Sequence, residues 1–286
     1  MKQVSVGYIF GSPYFTHEED MFKKVAKRKN INLIFFNYEK ELPEDELKKL
    51  AKQCDVVLNN NAGTMAIELS KTLEDMGKKV IDSSDVYYYL EDKWMFYLNC
   101  RKHKIPVPQT ILLSNNLKTA KKELREFNYW PVVLKRVYGE MGEFVERATK
   151  PDEVVDIMKK LWDNRVERYP VIAQEYVKSL SYRVTLINGK IVQSALKKGK
   201  GWKLTGAYAY RCGKFKMDKE MKDIIKKLTK VCDIKICGID FLRKDDRWLV
   251  GEVNAEPSLE FFRNDMERMV SEVLDYLRIE ALKKHK

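Results

Sequence analysis

Three polar side chains near the carboxyl end raise the first chemical question. In "LVGEVNAEPS" (249–258), Leu249, Val250 and Val253 suit a buried strand, yet Glu252 and Asn254 stand two apart within it. Residues i and i+2 of a strand share a face, so a carboxylate and an amide point the same way. Leaving them buried and unpartnered would cost on the order of a few kcal/mol. Upstream, "ICGIDFL" puts Asp240 in an apolar strand, where a lone acid is equally costly. A three-residue loop at Asp245, Asp246 and Arg247 would pair Lys244 with Trp248 and set Asp240 across from Glu252, with Asn254 on the same face. A loop one residue shorter or longer would turn the acid away. Two carboxylates and an amide converging make an oxygen-rich nest for a hard cation. Mg²⁺ takes one or two carboxylates and completes its shell with water and substrate phosphates. The competing reading pairs each acid with a nearby Lys or Arg.

Two upstream segments bear on that choice. "PVVLKRVYGEMGEFV" (131–145) carries Lys135 on an apolar strand and then a loop bounded by Gly139 and Gly142. Glycines let backbone N–H groups approach a phosphate closely, and the lysine would offset its charge. The same spacing also suits an ordinary hairpin loop, and no GK[ST] follows to make it a Walker A sequence. "VIAQEYVKS" gives a short strand ending at Glu175, Tyr176 and Val177. Such an extended segment reads a flat base through its backbone groups, or is simply a core strand.

These residues need elements to position them. The first ninety residues alternate strands ("VSVGYIF", "INLIFFNY", "DVVLNN", "KKVID") with helices at 18–29, 44–53 and 65–76. That alternation predicts βαβ units and a mainly parallel, Rossmann-like sheet, although no GxGxxG follows the first strand. Pro106 and Pro108 then interrupt a helical stretch. The remainder mixes strands ("PVVLKRV", "VIAQEYV", "YRVTLIN", "KIVQSALKK", "ICGIDFL", "WLVGEVN") with helices at 151–163, 218–232 and 262–283. Hairpin signals at "INGK" and "RKDDRW" predict antiparallel pairing there. The expected class is α/β followed by α+β, divided as 1–92, 93–178 and 179–286.

Composition narrows the function classes. With 44% hydrophobic and 34% charged residues over 286 positions, the chain reads as globular with a sizeable core. No apolar run reaches the roughly 18 residues of a membrane span, and the amino terminus reads as a strand, not a signal peptide. Five scattered cysteines predict reduced thiols and a cytoplasmic setting. Cys232 and Cys237 lack a second pair for zinc, and His17, His103 and His285 are far apart. A net charge of +12 favours anionic ligands. No nucleic-acid-binding signature accompanies it, so nucleic acid is the disfavoured partner.

Taken in order, "MGKKVIDSSDVYYYLEDKWMFYLNCRKHKIPVPQT", "PVVLKRVYGEMG", "AQEYV", "YRV", "GIDFL" and "GEVNAEPSLE" resemble the ATP-grasp superfamily, specifically its RimK-like carboxylate–amine ligases. The likeness spans about residues 76–260, and the amino-terminal Rossmann-like portion matches the family's pre-ATP-grasp domain. The resemblance implies that Lys93 and Lys135 contact ATP phosphates beneath the Gly139–Gly142 loop. Gln174, Glu175, Tyr176 and Val177 would line the adenine pocket. Arg183 would sit near the transferred phosphoryl group, and Lys203 would stand for a family arginine in the catalytic region. Asp240, Glu252 and Asn254 would be ligands for one or two Mg²⁺, with Mn²⁺ as a substitute. The implied reaction is ATP-dependent amide formation through an acyl-phosphate, adding an amino acid of the glutamate type to a carboxylate-bearing small molecule or peptide. Dimers or tetramers are expected on the same ground.

The departures leave alternatives open. Glu140 and Met141 follow Gly139 where relatives carry a small residue, and Ser181 replaces an Asp. "KLTGAYAYR" sets Lys203 and Thr205 in place of Arg and Asn, and Ala209 and Tyr210 in place of paired glycines; Ser258 replaces a common Gly. A D-alanyl or glutathione-type ligase, or an anion- or nucleic-acid-binding protein that retains the scaffold without catalysis, are the competing readings.

Overall fold

The computed structural model of the chain describes residues 2–40, 42–139, 142–162, 168–199, 201–203, 211–262 and 265–283. The segment Glu140–Met141 and the stretch containing Thr205, Ala209 and Tyr210 lie outside the described residues.

The first sheet is built from β1 (Val4–Phe10), β2 (Ile31–Asn37), β3 (Val56–Asn59) and β4 (Val80–Ile81), with α1 (His17–Arg28), α2 (Glu44–Gln53) and α3 (Thr64–Asp75) between them. Its order is β2-β1-β3-β4 and every pair is parallel. Its hydrophobic alternation is doubled, because helices cover both faces. α1 begins where a capping box can form: Thr16 accepts from the Glu18 N–H while Glu19 reaches back to the Thr16 backbone. Acids fill its first turn and bases its last, matching the helix dipole.

α4 (Ser84–Glu91) and α5 (Lys93–Lys102) follow, separated by Asp92, whose carboxylate caps the Trp94 and Met95 N–H groups. This break decides where Lys93 goes, since it becomes the first residue of a new helix with its N–H bonded to the Val137 carbonyl. The second sheet comprises β5 (Thr110–Leu112), β6 (Val132–Arg136), β7 (Val145–Ala148) and β8 (Val171–Glu175) in the order β5-β8-β6-β7, all antiparallel. α6 (Leu117–Phe127) and α7 (Val154–Trp162) bury Ala120, Leu124, Met158 and Leu161 against it.

The third sheet holds β9 (Ser181–Ile187), β10 (Lys190–Lys198), β11 (Arg211–Gly213), β12 (Ile236–Lys244) and β13 (Arg247–Asn254), ordered β11-β10-β9-β12-β13 and antiparallel. The predicted "INGK" hairpin joins β9 to β10 through Asn188 and Gly189, both left-handed (φ 49° and 73°). α8 (Lys219–Cys232) packs on the apolar face of this sheet. α9 (Asp265–Leu282) instead returns to the first sheet, where Met269, Val273 and Leu277 share a core with Phe22 of α1 and Val6 of β1. Among the described residues no helix is long and apolar enough to cross a membrane.

Candidate active site

The hairpin β12–β13 carries the polar trio noticed in the sequence, and its register departs from expectation in one respect. The turn is the two-residue pair Asp245–Asp246, both left-handed (φ 46° and 61°), so Lys244 pairs with Arg247 and not with Trp248. Such a turn is a type I′ arrangement that follows the natural strand twist, which is why it displaces the three-residue loop. Asp240 nevertheless stands across from Glu252, because the ladder slips by one residue at Gly251. Trp248 and Val250 face the same apolar core as Val253 and Ala255. A regular strand cannot change from even to odd phase, and a bulge of one extra residue can. The bulge turns Glu252 and Asn254 away from the core and onto the face of Asp240.

Asp240 is firmly paired. Its oxygens accept from Arg183 Nε and Nη2 at 2.8 Å each, and Lys197 Nζ lies 2.9 and 3.0 Å from them. Cross-strand register explains this: Arg183 sits beside Asp240 on β9, and Lys197 is two residues beyond Ala195, the β10 partner of Arg183. Burial pushes the Asp240 carboxyl upward, but Arg183 and then Lys197 more than offset that and hold it well below the usual carboxylate range. Burial lowers Lys197 despite Asp240 beside it, while Arg183 is raised against its own desolvation. The salt-bridge reading of Asp240 is therefore realised.

Glu252 and Asn254 differ. The Glu252 side chain is 40% exposed and its nearest cation is Lys93 at 3.9 Å. Asn254 donates through Nδ2 to the Gly238 carbonyl at 3.4 Å. A carboxylate held only by a long ion pair and an amide oxygen on the same face, with Asp240 across the ladder, fit a hard divalent cation by donor chemistry. Among the described residues no cluster of three or more His, Cys, Asp or Glu side chains could hold a metal, so a cation here would need Asn254 and the ligand's own oxygens beside the acids.

Facing this hairpin is a narrow cleft. Leu90, Phe96, Val107, Ile172 and Val250 line it together with Lys93, Lys135, Gln174 and Glu252. An apolar slot opening onto charge suits a ligand with a flat organic end and a charged end. Lys135 donates to Gln174 Oε1 at 2.8 Å. Desolvation pushes it down to about 8, with Glu252 opposing that and Lys93 adding to it. Lys93 and Lys135 face Glu252 in the cleft and Arg183 and Lys197 hold Asp240 across the ladder from it, and four cations less two acids leave two positive charges. A polyanion would neutralise that surplus.

The predicted glycine loop is held at both ends by lysines. Lys93 Nζ donates to the Gly139 carbonyl at 2.7 Å, and Lys203 Nζ donates to the Gly142 carbonyl at 3.3 Å. Both glycines have positive φ, 136° and 77°, so side chains would strain the loop there. Lys203 thus meets the loop.

The β8 end is partly engaged. The Glu175 carboxylate accepts from Lys244 at 2.6 Å and from the Gln109 N–H at 3.1 Å, and the Tyr176 N–H bonds to the Pro131 carbonyl. Among the described residues the Val177 N–H has no acceptor, so base-reading capacity at this edge rests on it and on neighbouring carbonyls. Sequence reasoning passed over Lys197, although it falls in the inward phase of "QSALK" with Gln193 and Ala195. That phase was the available signal.

A model of the RimK-like ATP-grasp domain matches residues 90–277, which includes every candidate residue above. The chain is 26% identical to a probable alpha-L-glutamate ligase of Haemophilus influenzae, over 76% of this chain and 72% of that one. It is 27% identical to the alpha-aminoadipate–LysW ligase LysX of Sulfurisphaera tokodaii, over 78% and 79%. Its fold overlays on a RimK domain ATP-grasp protein from Sphaerobacter thermophilus with a TM-score of 0.75 at 15% identity, covering 96% of this chain and 99% of that one. With the cleft, the hairpin and the matched span in agreement, the chain belongs to the RimK-like ATP-grasp domain family.

Proposed function

We propose that this protein is an ATP- and Mg²⁺-dependent carboxylate–amine ligase that adds a glutamate-type amino acid to a carboxylate-bearing acceptor. The observation that carries the reading is that Lys93 and Lys135 meet Glu252 in the cleft while Arg183 and Lys197 hold Asp240 directly across from it, in a chain of this family. The apolar part of the cleft takes the base, and Val177 offers it an N–H. Lys135 and Lys93 take the phosphates, Lys93 exchanging the Gly139 carbonyl for a phosphate oxygen.

Mg²⁺ would be held by Glu252 and Asn254, with Asp240 in support, and would supply neutralisation of β- and γ-phosphate charge. The acceptor carboxylate attacks the γ-phosphorus, the bond to the bridging oxygen breaks, and ADP and an acyl-phosphate form. The amine of the incoming amino acid then displaces phosphate, loses a proton and leaves an amide. Neither step needs a protein nucleophile; both need positioning and charge neutralisation. Arg183 does the positioning: its bidentate bond to Asp240 fixes the guanidinium plane, and Lys197 beside them gives the trio one net positive charge. The Gly139–Gly142 loop, still held by Lys203 at the Gly142 carbonyl, would limit water at the acyl-phosphate. A reducing, cytoplasmic compartment suits the five free cysteines, two of which (Cys54 and Cys232) burial pushes up to about 12 and 11.

The test is mass spectrometry of products after incubation with ATP, Mg²⁺, amino acids and a cell extract. The reading expects a species heavier by one amino-acid residue, formed with ADP and phosphate and absent with Glu252→Ala. Tight RNA binding without nucleotide affinity would replace it with the non-catalytic reading.

A further inference from the structure

Beside the phosphate end, the face of the second sheet that carries Lys135 also carries a cation with no assigned task. Arg147 on β7 pairs with Val133 on β6, which pairs with Gln174 on β8, so these three share a face with Lys135. Among the described residues Arg147 has no carboxylate partner within ion-pair distance. Its guanidinium instead lies 5.0 Å from the Tyr176 ring and 5.4 Å from the Trp202 ring, and those rings meet edge to face at 6.2 Å.

The two rings come from different sheets. Tyr176 follows β8, next to the free Val177 N–H, whereas Trp202 follows β10 in the third sheet. Lys203, the next residue, reaches the Gly142 carbonyl, so consecutive residues of that segment touch the second sheet at two points. An indole and a flat guanidinium at the base-reading edge are surfaces on which a purine stacks.

We infer that Arg147 and Trp202 are positioning residues for the nucleotide, together forming a clasp beside Tyr176 for its base. The inference rests on the ATP site proposed above and adds to it the groups that recognise the base as distinct from the phosphates. Arg147 is assigned to this clasp because its neighbours are the Tyr176 and Trp202 rings.

The experiment is calorimetric titration of the full chain with ATP and, separately, with tripolyphosphate, both with Mg²⁺. Trp202→Ala and Arg147→Lys are expected to weaken ATP binding about tenfold, the scale of one lost stacking contact. Tripolyphosphate binding stays unchanged in both, because total charge is preserved. Trp202→Phe retains most ATP affinity, and a nucleotide-induced change in tryptophan emission seen in the natural protein is lost in it. Unchanged ATP affinity in Trp202→Ala and Arg147→Lys overturns the clasp alone. Equal losses for ATP and tripolyphosphate also overturn it, since they mark a general structural role. Failure of the natural protein to bind ATP overturns both the clasp and the ATP site, so the two failures are distinguishable. Thermal melts confirm that each variant is folded.

Discussion

Asp240 lies directly across from Glu252, and Gly251 is the reason. Without the extra residue, Glu252 would share the inward phase of Trp248 and Val250 and point at an apolar core. The bulge thus converts a strand with a costly acid into one that presents the acid to a cleft. It also separates two carboxylates by task. Asp240 anchors two buried cations, while Glu252 remains open.

That separation predicts opposite balances of stability and activity. Asp240→Ala strands Arg183 and Lys197 without their counter-ion and should destabilise the fold by about 3–5 kcal/mol. Glu252→Ala removes a half-exposed acid whose nearest cation is 3.9 Å away, and should cost about 0–1 kcal/mol while abolishing ligase turnover. Urea denaturation of both variants checks the pair; similar losses would contradict the division. The Asp240 contribution also has a defined pH sense. Its folded-state pKa is depressed, so its stabilisation is complete above the unfolded value of about 4 and is lost as pH falls toward the folded one.

Gly238 should tolerate no side chain without cost to the reaction. A Cβ there would lie 2.3 Å from Arg183 Nη1 and 3.0 Å from its Cδ and Cζ. Gly238→Ala therefore displaces the guanidinium from Asp240. We expect kcat to fall by about 10- to 100-fold, in the range of a misaligned catalytic group, with ATP affinity nearly unchanged. Single-turnover kinetics would read this, and an unchanged kcat would contradict it.

Lys135 should set the alkaline limit of nucleotide binding. It stands at about 8 in the free protein, lowered chiefly by desolvation, and a polyphosphate beside it would raise it again. Affinity is then level below pH 8 and falls as pH rises through that value, approaching tenfold per pH unit. Lys135→Arg remains charged throughout and should flatten the profile. Parallel profiles for the two proteins would contradict the assignment.

Gly251 lines the cleft, so a side chain there intrudes on the ligand as well as on the bulge. Its Cβ would meet the Asp240 carbonyl at 3.4 Å and Leu242 at 3.5 Å. Gly251→Val should cost about 1–3 kcal/mol of stability and weaken nucleotide binding at least tenfold. Thermal melts and titration of the same preparation measure both effects.

Much of this was legible in the residues. Alternation in "VSVGYIF" and "KIVQSALKK", turn chemistry at Asn188–Gly189 and the capping residues of α1 all act locally, and the elements formed where those signals stood. The opposition of Asp240 and Glu252 was also reached, but through a three-residue loop. A bulge is invisible in a periodicity that assumes strict alternation, and Gly251 alone does not announce one. Lys197 was missed because an isolated lysine in a strand ordinarily faces water. Only the register that puts Arg183 beside Asp240 reveals why it is buried. The return of α9 to the first sheet is likewise a long-range matter, decided by the match of Met269 and Val273 to Phe22 and Val6.

The central claim is that this cleft binds a nucleotide through a cation held at Glu252. Titration calorimetry with ADP, with and without Mg²⁺, on the natural protein and on Glu252→Ala tests it most directly. The account predicts saturable binding that strengthens at least tenfold with Mg²⁺, and loss of that Mg²⁺ dependence in the variant. No ADP binding by the natural protein, or binding indifferent to both Mg²⁺ and Glu252, would contradict it.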